Sequence, residues 1–280
     1  KTKLVNYKPS SKNLKEVDMT VQNHRNSYCT FQNVSEISFS PSLTPSFGKP
    51  SLVCPRHHKR VEKNISMYVD EKNRIGYHYS INPWTILRPG CKPITHSQTL
   101  FQKVVEFYDP STPDYFAKII QFSCSTPLIP YGANTLLAAG HFKIKYDHID
   151  KLPPKSPARI FCKRLLRSLK IKSFSQKHEG IIHYEFIYGA FLYSVNKKTM
   201  RLQNTSNAFI VFDRNKPNSL MFPCGLTSST KNDMFFMSYH ENDINMKMLT
   251  MTNKEIDRML VHSNTASPEA YKFEFIHTDK

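Results

Sequence analysis

Between positions 238 and 243 the chain reads Ser-Tyr-His-Glu-Asn-Asp, directly after the apolar run "MFFM". Side chains that donate or accept hydrogen bonds thus end a segment otherwise built for burial. A sugar is held by this mixture: a carboxylate accepts from two adjacent hydroxyls, an amide or imidazole donates, and an aromatic ring covers the apolar C–H face. Tyr239, Glu241 and Asp243 are the candidates for such contacts. On an extended strand Glu241 and Asp243 share a side, about 7 Å apart. Paired glycosidase carboxylates stand roughly 5–10 Å apart, which makes Glu241 a candidate acid as well. The competing reading is a strand ending in a solvated turn, with Asn242 and Asp243 supplying turn chemistry.

A second group lies in "YGANTLLAAGHFKIKY", residues 131–146. Alternation puts His141, Lys143 and Lys145 on one side of a strand, with Phe142 and Ile144 on the other. A cationic side of this kind suits a sugar carboxylate, a phosphate or a nucleotide diphosphate. Asn134 is either a turn residue or a donor to a ligand hydroxyl. Tyr188, in "FIYGAFLYSV", either stacks on a sugar or fills the core. No Ser-His-Asp order and no phosphate-cradling Gly-rich loop accompanies these residues, and the chain has only 8 glycines. Its 6 cysteines, at 29, 54, 91, 124, 162 and 224, form no CxxC pair and give no zinc-ligand spacing. They suit disulfides in an oxidising compartment and buried thiols equally well.

Strands have to position these groups. From residue 60 onward short runs rich in β-branched and aromatic residues alternate with turn residues. "SMYVDEKNRIGYHYSI" reads as a hairpin turning at Asp70 to Asn73, and "HSQTLFQKVVEFYD" as a strand or a short helix. "NTLLAAGHFKIKY", "HYEFIYGAFLYSV", "NAFIVFD", "SLMFPCGLT", "DMFFMSYHE", "INMKMLTM" and "YKFEFIH" read as strands. Helical spacing occurs in two places. One is "NKEIDRMLVH", opened by Thr252 or Asn253. The other is the basic segment 155–177, where Ile160, Leu165, Leu166 and Leu169 leave a face of Arg159, Lys163, Arg167 and Lys170. Many short antiparallel strands predict an all-β protein: a sandwich, a barrel or a propeller.

The composition is that of a globular chain, with 39% hydrophobic and 22% charged residues. A net charge of +17 admits nucleic acid, anionic glycan, phosphate or acidic membrane as partners. No specific nucleic-acid motif is present, and no apolar run approaches the roughly 20 residues that span a bilayer. No secretory signal stands at Lys1, while Asn33, Asn64 and Asn204 begin Asn-x-Ser/Thr sequons. Secretory lumen, extracellular space and cytoplasm all stay open.

Three stretches together resemble the five-bladed β-propeller enzymes that act on β-mannosides, a family of phosphorylases, hydrolases and transferases. In residues 62–87, Glu62, Lys63, Asn64, Tyr79, Ser80 and Pro83 match the family's Glu-Lys-Asn blade, with Ile65 in place of its usual Trp. Residues 126–146 are similar to the strand that carries a substrate-facing His, here His141, and Gly189-Ala190 follow as Gly-Ala follows in the family. "FPCG" at 222–225 then precedes "SYHEND", where the family has Phe-Pro-x-Gly and a strand ending Tyr-Gly-x-x-Asp, so Asp243 aligns with its sugar-binding carboxylate. The family's Glu-Asp-Pro-Arg stretch is missing, and His240 replaces a Gly. The general acid is therefore unassigned.

The resemblance implies a five-bladed type of propeller, with residues 1–60 a divergent or partial N-terminal blade and 61–280 the body, one structural domain overall. It implies transfer or cleavage of a mannoside-like sugar, with no cofactor but with phosphate or a sugar nucleotide as co-substrate. The alternative is a non-catalytic propeller that binds an anionic glycan or a protein partner, using the basic segment 155–177.

Overall fold

The computed structural model describes residues 33–34, 37–39, 45–47, 51–52, 65–81, 84–90, 92–96, 120–168, 186–206, 208–211, 221–229, 233–241, 245–262 and 272–275. The chain divides into two compact units, Lys1–Ile65 and Ser66–Lys280. In the first, β1 (Asn33–Val34) pairs with β4 (Ser51–Leu52), and β2 (Ile37–Phe39) with β3 (Pro45–Phe47), both antiparallel.

The second unit opens with an antiparallel meander of β5 (Ser66–Val69), β6 (Ile75–Ser80), β7 (Trp84–Arg88) and β8 (Lys92–His96). Its first turn falls where the sequence predicts it. Asp70 Oδ1 accepts from the backbone N–H groups of Lys72 and Arg74 at 2.9 and 2.8 Å, and Asn73 takes a left-handed φ of 56°. A short carboxylate that caps its own turn and an Asn that tolerates positive φ are the reasons the chain reverses here. The segment 97–109, read as a strand or short helix, lies outside the described residues.

An eight-stranded sheet follows, built on two long strands. β9 (Ile120–Cys124) and β10 (Ile129–Pro130) share one edge of β11 (Thr135–Lys145), whose other edge pairs with β12 (Phe186–Asn196) from Thr135↔Asn196 to Lys145↔Phe186. β13 (Leu202–Ser206) and β14 (Ala208–Val211) pair with β12 in turn. Next comes a three-stranded meander, β15 (Met221–Ser228), β16 (Met234–Glu241) and β17 (Asn245–Thr252). Finally β18 (Leu260–His262) and β19 (Lys272–Phe275) return to the eight-stranded sheet, beside β13 and β14. The protein is thus mostly β, with several antiparallel sheets and, among the described residues, two α-helices.

β11 and β12 are buried along nearly their whole length, which explains why they read as continuous apolar runs. Strand alternation divides them between two cores. One side, with Phe142, Ile144, Phe191 and Tyr193, packs with Trp84 and Ile86 of the four-stranded meander. The other, with Leu137, Ala139, Tyr188 and Leu192, packs with Phe235, Met237 and Met251 of the three-stranded one. The candidate residues His141, Lys143, Lys145, Tyr188 and Tyr239 stand on this second side.

Helix α1 (Pro157–Ser168) starts with Pro in its first turn, where the missing N–H costs nothing. It buries Ala158, Phe161, Cys162 and Leu165, spaced i, i+3, i+4, i+7. The phase differs from the one expected from Ile160 and Leu166, which are only half-buried. An aromatic ring at 161 between two other phenylalanines, Phe122 and Phe142, wins the inward position. The outer side is basic as expected, with Lys163 and Arg167 exposed. Helix α2 (Asn253–Met259) opens on a capping box: the Thr252 hydroxyl accepts from Glu255 N–H at 3.2 Å, and the Glu255 carboxylate accepts from Thr252 N–H at 2.7 Å. Replacing Thr252 by alanine is expected to cost about 1 kcal/mol, measured by denaturant unfolding, since a cap contributes roughly 0.5–2 kcal/mol.

Candidate functional site

Odd-numbered positions of β11 point to the side covered by the three-stranded meander. Towards one end they are Leu137 and Ala139; towards the other they become His141, Lys143 and Lys145, all three at most 9% exposed. The ladder sets what stands next to them. His141 lies between Ala190 and Ser123, Lys143 between Tyr188 and Gln121, and Lys145 beside Phe186. His141, Lys143 and Lys145 thus share one face, as the alternation predicts, and Tyr188 of β12 stands beside Lys143 on it. Two ammonium groups and an imidazole on alternate residues of a buried face make a cationic cluster flanked by aromatic rings.

The contacts are specific. Ser125 Oγ lies 2.7 Å from His141 Nδ1, which fixes the imidazole plane. The Phe222 ring meets His141 edge-on at 4.5 Å and Tyr188 at 5.3 Å. Lys143 Nζ stands 5.1 Å from the centre of the Phe186 ring, a cation–π geometry. Gln121 Nε2 donates to Ser123 Oγ at 3.2 Å. Gln121, Ser123, Ser125 and Phe222 escaped the sequence reading. The signal was the alternation of polar with apolar residues in "IQFSCS", 120–125, a strand too short to stand out beside its neighbours.

Tyr239 is buried on the inner side of β16, in the same apolar cluster as Tyr188. Glu241 ends β16, paired with Met221 and Asn245. Its side chain lies outside the described residues, and so does Asp243. Asn134 is placed elsewhere. It sits in the exposed turn between β10 and β11, its carbonyl accepting from Lys197 N–H at 2.9 Å. Seven residues of extended strand separate it from His141, roughly 23 Å at about 3.3 Å per residue. The structure does not bring Asn134 to the cluster.

The opposite side of the same sheet holds a second polar group, which is structural. His78 Nε2 lies 3.0 Å from the Ser80 carbonyl, so it carries the proton and donates. Nδ1 is then the acceptor and takes the Tyr193 hydroxyl at 3.0 Å. Trp84 leans on the imidazole at 4.0 Å between ring centres and donates from its indole to the Met200 carbonyl at 2.9 Å. Burial pushes the His78 pKa down to about 3 and the Cys124 thiol up to about 12. Cys124, Cys162 and Cys224 are free thiols.

Among the described residues no group of three or more His, Cys, Asp and Glu is arranged to hold a metal ion, and no helix is long and apolar enough to cross a membrane. Comparison of the chain with protein-family models, with curated proteins and with solved structures gave no match.

Proposed function

We propose that the chain is a carbohydrate-active β-propeller that transfers or cleaves a mannoside-like sugar, with phosphate or a sugar nucleotide as co-substrate. The observation that carries this reading is the placement of His141, Lys143 and Lys145 beside Tyr188 and Phe186 on one sheet face, with Phe222 of β15 packed against His141 and Tyr188. Cations hold a phosphate or a carboxylate, and aromatic rings cover sugar C–H groups. Asp243, and Glu241 with it, supply the carboxylates for sugar hydroxyls in this scheme. The propeller assignment is supported by the packing of a mostly antiparallel sheet between two others, the four-stranded meander on one face and the three-stranded one on the opposite face.

A second reading, a non-catalytic propeller that binds an anionic glycan, has its own support. The strands β9, β11 and β12 supply His141, Lys143 and Lys145 but contribute no Asp or Glu of their own. The exposed Lys163 and Arg167 of α1 add a basic surface elsewhere.

Incubation of the purified chain with β-mannooligosaccharides, mannose 1-phosphate and nucleotide-mannose donors, followed by chromatography, separates the two. Turnover that is lost in Asp243→Ala establishes the enzyme, and the consumed donor names the reaction. Lys143→Met is expected to weaken binding of mannose 1-phosphate by at least about tenfold, since a charge-assisted hydrogen bond contributes roughly 1.5–3 kcal/mol. Binding of mannose 1-phosphate without turnover leaves the glycan binder. A folded protein that neither binds nor turns over any of these ligands rules out both.

A further inference from the structure

Phe235, Met237 and Tyr239 of β16 point into the core, so Ser238 and His240 point to the opposite side of the three-stranded meander. On β17 the ladder sets Met248 opposite Ser238 and Met246 opposite His240. These methionines are 65% and 60% exposed, two of the four large apolar side chains that stand exposed among the described residues. On the other flank of β16 a bulge between Pro223 and Gly225 shifts the register and brings Cys224 to the same serine. Its thiol donates to the Ser238 carbonyl at 3.3 Å and lies 3.4 Å from the Ser238 hydroxyl oxygen. Gly225 leaves the room for this, since a Cβ there would stand 2.6 Å from Ser238 Oγ. A thiol, an imidazole and two thioethers therefore surround one serine. Opposite residues have Cβ atoms about 4.5–5.5 Å apart, and neighbours along one side of a strand are about 7 Å apart. Methionine, with three rotatable bonds, swings its sulfur across such gaps. Cys224 and His240 are half-buried and both methionines are open, so an ion can reach the group from solvent.

We infer that Cys224, His240, Met246 and Met248 form a binding site for a soft monovalent metal ion, Cu(I). Thiolate and thioether ligands select Cu(I), and imidazole also suits copper. Zn(II) draws on thiolate, imidazole and carboxylate, and would find only two ligands here. For the same reason a grouping of His, Cys, Asp and Glu alone passes this site over. The Cys224 thiol gives up its proton as it binds the ion, so one positive charge replaces another and the net charge of +17 is unchanged. The site is independent of the sugar-binding reading and of the His141 and Lys143 face.

Anaerobic titration of the full chain with Cu(I), in competition with a chromophoric Cu(I) chelator, tests this. The variant is the double substitution Met246→Leu with Met248→Leu, which removes both thioethers and keeps the apolar surface. The other cysteines also take Cu(I), so the result is read as the difference between the two chains. The variant should bind its tightest Cu(I) at least about tenfold more weakly, since even the outer partners of a metal ligand contribute roughly 10–100-fold in affinity. Zn(II) affinity should be the same in both, and so should the melting temperature without metal, because the replaced side chains are exposed. X-ray absorption of the chain loaded with one Cu(I) should show sulfur and one imidazole nitrogen on copper, the nitrogen disappearing in His240→Gln. A wild type that binds no Cu(I), equal Cu(I) affinity in the two chains, or coordination by sulfur alone would each overturn the site. A clearly lower melting temperature of the metal-free variant would assign the methionines to packing and overturn it too.

Discussion

Replacing Gly140 by alanine should destabilise the protein by about 3 kcal/mol. A Cβ built there would stand 2.4 Å from Cζ of Phe191 and 2.6 Å from the carbonyl oxygen of Ser123. The phenyl ring can tilt, but the carbonyl belongs to β9 and is held by its ladder with β11. Overpacking costs typically 1–3 kcal/mol, and a backbone clash belongs at the upper end. For a unit of this size each kcal/mol lowers the melting temperature by roughly 2–4 °C, so a fall of about 6–12 °C is expected. Adding Phe191→Leu should recover little of it, because the contact with Ser123 persists. The same displacement would part Gln121, Ser123 and Ser125 from His141 and Lys143, so mannose 1-phosphate binding should weaken as well. An alanine variant within about 1 kcal/mol of the wild type would mean that β9 yields more easily than its ladder implies.

The second large effect is on stability against pH. His78 is neutral when folded, with its pKa pushed down to about 3 by burial. In the unfolded chain it titrates near 6.5. Between those values the unfolded state binds the extra proton, so stability rises with pH through this window. The contribution is complete above about pH 6.5 and is lost as the pH falls towards 3. From pH 6.5 to pH 5 the loss is about 2 kcal/mol, at 1.36 kcal/mol per pH unit. Denaturant unfolding at pH 7 and pH 5 should show the wild type falling by about that much more than His78→Gln, which cannot take up the proton. Equal falls in the two proteins would place the acid sensitivity in other groups.

The strands that carry the site were legible because burial on alternate positions leaves a pattern in the residue types. β11 could be read from Leu137, Ala139, Phe142 and Ile144, and the same period showed that His141, Lys143 and Lys145 share a side. Gln121, Ser123 and Ser125 were not read, since which strand lies beside β11 is decided by long-range pairing that no local pattern records. Asn134 failed as a site residue for a related reason. It is near His141 in sequence, but an extended strand carries neighbours apart at the maximum rate the backbone allows. The inward face of α1 was misjudged by the choice between Ile160 and Phe161, which depends on the rings waiting beneath, Phe122 and Phe142. His78 and Tyr193 are far apart in the chain, and each looks like an ordinary strand residue until the sheets pack.

The central pair of strands also dictates a sequence of events in time. β5–β6 and β15–β16–β17 are joined by short turns, so each closes a small loop and its pairing is local. β11 and β12 are instead separated by residues 146–185, which include α1. Closing that excursion costs more chain entropy, and β19 must come back across the whole three-stranded meander to reach β14. Contacts of long sequence separation slow folding. The outer hairpins are therefore expected to zip first and the sheet bearing His141 and Lys143 to lock last, so the ligand-binding face is completed at the final step of folding and should be the first lost when the protein unfolds.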